Sequence, residues 1–125
     1  MKITINDHRK IFAIQDEFNS IFPYLKLEFF SKPHKHVGTS AKKFIKHNSK
    51  TLGECRTIHN KGQITISSHM TVADLEQSFR DIYGLEVQVF RNSGKVWLET
   101  TVTDGWTLEE QNRQGEALSK KVVSI

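Results

Sequence analysis

The tripeptide Ile3-Thr4-Ile5 recurs 61 residues later as Ile64-Thr65-Ile66. Each copy is followed by apolar residues at the spacing of one helix face. These two stripes keep the same 61-residue offset without a gap, as Ile11, Ile14, Phe18, Ile21 and then Val72, Leu75, Phe79, Ile82. The repetition indicates two copies of one structural unit, neither of which can bury its apolar face alone.

A strand pattern follows each predicted helix and also repeats. The stretch Leu25-Lys26-Leu27-Glu28-Phe29-Phe30 matches Leu85-Glu86-Val87-Gln88-Val89-Phe90 after a shift of one residue. Further strands over Thr51–Ile58 and Lys95–Val102 complete a β-α-β-β order that occurs twice. The sequence therefore predicts an α+β fold, in which an antiparallel-rich, ferredoxin-like sheet of up to six strands carries both helices on one face.

We expect residues 1–125 to form one domain, with internal repeats at about 1–58 and 62–102. A basic insertion, residues 32–50, interrupts the first repeat and includes a short helix with Phe44 and Ile45. A C-terminal helix over about 107–119 is appended, with Leu108 and Leu118 as its apolar anchors.

Local signals place the ends of these elements. Asn6 or Asp7 is expected to cap the first helix, and Gly84 to end the second. Thr71-x-x-Asp74 and Thr107-x-x-Glu110 match the capping-box pattern. Asn92-Ser93-Gly94 is predicted to be a three-residue hairpin loop.

The net charge of +4 hides an uneven distribution. Residues 32–61 contain eight Lys/Arg and one acid, a net charge of +7, whereas the remaining residues carry a net charge of −3. Four of the six histidines, His34, His36, His47 and His59, fall in the same segment. This distribution predicts a basic face directed at an anionic partner, although a solvated, solubilising loop would have the same composition.

Lysines at i, i+1, i+4 and i+8 would form a broad cationic stripe on a short helix, which can contact phosphates without reading base sequence. The predicted contact residues are Lys32, Lys35, Lys42, Lys43, Lys46 and Lys50.

Three aromatic residues form the second candidate site. If the alternate residues of the strands pack under the helices, Phe30, Phe90 and Trp97 point away from them. Such a face could stack bases or mediate self-association as a homodimer. Glu28, Glu86 and Glu99 share this face and would repel phosphate.

Metal binding and catalysis receive little support from the sequence. His34-x-His36 and Cys55-x3-His59 offer ligand types that zinc accepts, but their spacing matches no recognised zinc motif. Cys55 lies in no nucleophile signature, and Gly38-Thr39-Ser40 is far from a phosphate-binding loop. We therefore expect no catalytic residue, no metal and no cofactor. The absence of a long apolar run and the single cysteine favour a cytoplasmic protein without a membrane span.

The segments Gly84–Thr101 and Asp104–Asn112, together with Pro23–Lys32, resemble a small bacterial protein family of the kind found in Bacteroidetes. This resemblance spans most of the chain and implies no activity, substrate or site.

The sequence thus predicts a non-enzymatic binding or adaptor module that contacts RNA or an acidic protein through its basic insertion. The alternative is a structural oligomerisation protein that uses the outer sheet face. A small enzyme centred on Cys55 is the third interpretation.

Overall fold

The computed structural model describes residues 1–30 and 48–121. The predicted helix with Phe44 and Ile45 lies outside the described residues. The elements in chain order are β1 Lys2–Ile5, α1 Ile11–Ile21, β2 Leu25–Phe30, β3 Gly62–Thr65, α2 Val72–Tyr83, β4 Glu86–Ser93, β5 Val96–Glu99 and α3 Leu108–Lys121. This mixture of helices and antiparallel strands confirms the α+β class.

The described strands form two antiparallel sheets. One has the order β1-β3 and the other the order β2-β4-β5. The expectation of one continuous sheet is therefore wrong for the described strands, and the ferredoxin-like arrangement is not confirmed. The alternating patterns predicted where strands lie, but strand pairing depends on long-range contacts that no single strand encodes.

The register of both sheets is related to the sequence repeat. Ile3 pairs with Ile64 in the first sheet, at the 61-residue offset. Glu28 pairs with Gln88 in the second, at the 60-residue offset of the strand repeat. Lys2 pairs with Thr65, and Thr4 pairs with Gln63. At the 61-residue offset Lys2 corresponds to Gln63 and Thr4 to Thr65, so exchanging the two units turns one pair into the other. The two β-α-β units thus face each other with the pairing expected of an approximate two-fold axis.

One apolar core joins both units. The buried stripe residues of α1 and α2 meet the buried residues of β2 and β4, and Phe29 contacts Phe79 edge to face at a ring-centroid distance of 6.0 Å. Ile3 and Ile64 of the small sheet belong to the same core. Phe18 and Phe79 are both fully buried in it, as predicted. The prediction that Ile82 belongs to the buried stripe is wrong, because its side chain is 51% exposed and the neighbouring Tyr83 is buried instead.

The predicted strand Thr51–Ile58 is wrong. A single turn of 3-10 helix, Leu52–Cys55, occupies this stretch. The cause is a local capping box: the Thr51 hydroxyl accepts a hydrogen bond from the Glu54 amide, and the Glu54 carboxylate accepts one from the Thr51 amide. The T-x-x-E pattern of Thr51 and Glu54 is a local helix-start signal, and it decides the structure of this stretch.

The other helix signals are partly correct. Thr71 and Asp74 form the predicted capping box of α2, and Gly84 ends that helix with φ 64°. Helix α1 instead begins after Lys10, whose side chain makes no capping hydrogen bond. Asp7 is not its cap, because the chain around residue 50 supplies the carbonyls that satisfy the first amides of α1.

The β4–β5 hairpin has a shorter loop than predicted. Ser93 pairs with Val96, so Gly94 and Lys95 form a two-residue turn. Gly94 has φ 65°, at the first central position, where this kind of turn requires positive φ.

Helix α3 is attached to the rest of the molecule by polar as well as apolar contacts. Leu108 is fully buried, but the expected second anchor, Leu118, is 38% exposed. Gln111 is fully buried instead; its amide nitrogen donates to the Thr103 carbonyl at 2.8 Å, and its amide oxygen accepts from Arg91 at 2.8 Å. A buried, fully bonded glutamine fixes the position of the helix, because each lost partner would leave a buried polar group unsatisfied.

Phe79→Ala should lower the free energy of unfolding by about 3–5 kcal/mol, since it removes a buried ring that contacts Phe29 and leaves a cavity. Phe12→Ala is the matched control, because Phe12 is 41% exposed on α1, and should cost about 1 kcal/mol or less. Urea unfolding followed by circular dichroism measures both. Equal losses for the two variants would contradict a core shared by the two units.

Candidate functional site

Most of the predicted anion-binding lysines lie outside the described residues, namely Lys32, Lys35, Lys42, Lys43 and Lys46. Lys50 is described and is exposed to solvent. The structure therefore shows where the C-terminal end of the basic insertion is attached to the folded domain.

That end is hydrogen-bonded to the beginning of α1. The Ile11 and Phe12 amides donate to the carbonyls of Lys50 and Asn48, each at 3.0 Å. The Leu52 amide donates to the Arg9 carbonyl at 2.8 Å. Backbone contacts thus fix residues 48–52 against the first turn of α1, irrespective of their side chains.

The attachment brings basic groups from two parts of the sequence together. Lys10 is exposed at the start of α1, and Lys50 is exposed on the attached segment. The pKa of Glu54 lies below its ordinary value because it accepts hydrogen bonds from Thr51, and the positive charges of Lys50 and Lys10 lower it further. The start of a helix also carries partial positive charge. Lys10, which the sequence analysis did not single out, therefore adds to the basic surface around Lys50.

A second cluster of charged residues is built around a buried guanidinium. The side chain of Arg56 has no solvent exposure. Its Nη2 and Nε atoms donate to one oxygen of Asp7 at 2.8 and 3.1 Å, and its Nη1 donates to the Tyr83 carbonyl at 3.0 Å. The other oxygen of Asp7 lies 2.8 Å from Nδ1 of His59.

This cluster ties the β1–α1 loop to the end of α2. The hydrogen bond with His59, followed by that with Arg56, holds the pKa of Asp7 below its ordinary value. Arg56 is therefore not available to an external anion, although it was one of the eight basic residues counted in the segment. We interpret the cluster as structural, because a buried charge must be paired to be tolerated.

The outer sheet face differs from the expected open aromatic surface. The register places Phe30, Phe90 and Trp97 on that face, but Phe30 and Phe90 are only 6% and 8% exposed. Trp97 is 37% exposed, and Nζ of Lys26 lies 4.9 Å from its ring centroid. The described residues therefore do not present three exposed rings on which bases could stack. Of the three aromatic side chains, Trp97 is the accessible one.

Cys55 packs against the core and is partly buried. Burial raises the pKa of its thiol, which favours the protonated form. An activated nucleophile needs the opposite shift. Among residues 1–30 and 48–121 there is no group of three or more metal-ligating side chains, and His34 and His36 lie outside these ranges.

A surface depression beside α2 is lined by Asp74, Gln77, Ser78, Asp81 and Ile82. Because all five side chains come from one helix, the depression is one face of that helix rather than a cleft between elements. Within the described ranges, no helix combines the length and apolar character needed to cross a membrane.

Comparison with protein-family models, curated proteins and solved structures gives no match. A function for this chain is therefore argued from its own residues and their arrangement.

Asp7 and Lys10 are members of charged clusters that no sequence pattern reveals. Asp7 and Arg56 are 49 residues apart, and no local pattern links them. The position of Asp7 just before a helix favours an N-cap and gives no sign of its pairing with Arg56.

Asp7→Asn should destabilise the protein at pH 7, because it leaves the buried Arg56 guanidinium without its counter-charge. Since the pKa of Asp7 is lowered by folding, its contribution is fully present above its unfolded pKa, about 3.9, and is lost as pH falls through the lower folded pKa. The difference in unfolding free energy between wild type and variant should therefore be large at pH 7 and shrink towards pH 2.

Urea unfolding at several pH values measures this difference. The exposed Asp16 of α1 provides the control, and Asp16→Asn should leave stability nearly unchanged at every pH. A wild-type advantage over Asp7→Asn that is the same at pH 7 and pH 2 would show that the Asp7 charge is unimportant.

Proposed function

We propose that the protein is a non-enzymatic binding module that contacts a polyanion through its basic insertion, with RNA as the leading partner class. The observation that supports this proposal is the attachment of Asn48 and Lys50 to the first turn of α1. It sets the end of the basic insertion, whose residues 32–50 contain six lysines and no acid, beside the exposed Lys10.

The predicted contact groups are Lys32, Lys35, Lys42, Lys43, Lys46 and Lys50, together with Lys10. Lysine is a point charge without a fixed hydrogen-bonding fork, so it suits contacts with phosphates rather than recognition of particular bases. We therefore propose an interaction that depends on charge and shows little sequence preference. An acidic protein surface is the alternative polyanion.

The raised pKa of Cys55 argues against the enzyme centred on that thiol. The alternative, an oligomerisation protein that uses the outer sheet face, has less support because Phe30 and Phe90 on that face are almost fully buried.

Replacement of Lys42, Lys43, Lys46 and Lys50 by Gln should weaken RNA binding at least about ten-fold at low salt, because each lost phosphate contact removes counterion release. The slope of log K against log salt should become shallower by about 0.7 per lost contact with a single strand. Fluorescence anisotropy of a labelled, mixed-sequence single-stranded RNA measures both quantities.

The matched control is a quadruple variant that removes four positive charges elsewhere, by replacing Lys2, Arg80, Arg113 and Lys120 with Gln. Arg80 and the α3 residues Arg113 and Lys120 are half or more exposed, so the control should fold normally. Its binding should stay within about three-fold of wild type, since only long-range charge is changed. Equal weakening by the two variants would assign binding to net charge alone and would contradict the proposed site.

An acidic peptide and heparin are tested in parallel. Binding to the peptide without binding to RNA would replace RNA by an acidic protein as the partner class. Failure of all three polyanions to bind at about 50 mM salt, where phosphate contacts are strong, would refute the proposal.

A further inference from the structure

The edge strand β5 exposes apolar side chains on both of its faces. It is the last strand of the β2-β4-β5 sheet, and all four of its residues are exposed. Val96 and Leu98 are 54% and 42% exposed, and Trp97 is 37% exposed. Protected edges usually contain a central charge, a proline or a bulge, and Val96-Trp97-Leu98 has none of these.

The hydrogen-bonding direction of β5 follows from its hairpin. The Thr100 amide donates to the Val89 carbonyl. In an antiparallel ladder alternate residues bond to the same neighbour, so Val96 and Leu98 also bond to β4. The main-chain groups of Trp97 and Glu99 consequently point away from the sheet. In the part of the chain that the structure describes, β5 pairs only with β4.

The sequence of this edge is complementary to itself. When two copies of β5 are placed antiparallel with Trp97 opposite Trp97, Val96 lies opposite Leu98. Lys95, the turn residue just before β5, then comes beside Glu99 of the other copy. The two-fold symmetry gives two such Lys95–Glu99 pairs, one from each copy to the other. Opposite charges that face each other across two strands are stabilising, and like charges are destabilising.

Other registers lose this match. A shift of one residue would place Trp97 opposite Val96 or Leu98. The main-chain groups of those residues already bond to β4, so the N–H and C=O of Trp97 would have no partner. A shift of two residues would place Trp97 opposite Glu99 or opposite Lys95, and the charge pairs would be lost. The edge therefore favours a single self-pairing register.

We propose that β5 pairs with β5 of a second copy of this chain, centred on Trp97, and extends the three-stranded sheet into a continuous six-stranded sheet. The pairing buries the exposed Val96 and Leu98 against one another and satisfies the outward main-chain groups. Because the shared edge is short, the dimer is weak and depends on concentration. This inference stands independently of the polyanion site.

Sedimentation velocity on the full chain, from about 5 to 500 μM, gives the dimer dissociation constant, in a range suited to weak interfaces. Lys95→Glu places Glu opposite Glu99, and Glu99→Lys places Lys opposite Lys95. Each single variant should weaken the dimer at least about ten-fold, since two opposite-charge pairs become like-charge pairs. Both side chains are exposed, so the variants should fold, as circular dichroism will verify.

Two combinations test the register itself. The double variant Lys95→Glu/Glu99→Lys should dimerise within about three-fold of wild type, because both pairs are complementary again. A mixture of the two single variants should form heterodimers for the same reason. The control Glu116→Lys, on the exposed side of α3, should leave the constant unchanged.

A wild-type chain that stays monomeric throughout this concentration range would overturn the proposal. So would a dimer that neither single variant weakens, or one that the double variant and the mixture fail to restore.

Discussion

The antiparallel pairing between equivalent strands of the two β-α-β units is the constraint on which the rest of the structure depends. Ile3 opposes Ile64 and Glu28 opposes Gln88, so each unit supplies the partner strands that the other lacks. A single unit would expose the apolar stripe of its helix and both strand edges, which is costly in water. The single core with Phe18 and Phe79 is the direct consequence of this mutual pairing.

Much of the fold could be predicted from local patterns. The repeated stripe located both helices, and the capping box at Thr71 and the terminal Gly84 set the limits of α2. The errors occur where a local pattern is ambiguous or long-range pairing decides. The segment from Thr51 was predicted to be a strand, yet its capping box makes it a helical turn. The division into two sheets depends on partner choice, which side-chain alternation does not specify.

The candidate sites were less predictable than the fold for the same reason. Charge composition identified the basic insertion, but only the fold shows that its end is bonded to α1 beside Lys10. The burial of Arg56 against Asp7 removes a basic group from the surface, and no spacing in the sequence indicates that pairing. The exposure of Val96 and Leu98 does not follow from the sequence, because alternation marks two faces of a strand without indicating which of them is covered.

The two-fold pairing implies that both sheets open together. Native-state hydrogen exchange of the Ile3, Ile64, Glu28 and Gln88 amides tests this central claim most directly, since these residues lie at the centres of the two ladders. All four should exchange with one common free energy, equal to that of global unfolding. Exchange of Ile3 and Ile64 through a separate opening of much lower free energy, with Glu28 and Gln88 still protected, would show that the two sheets are independent and would contradict the account.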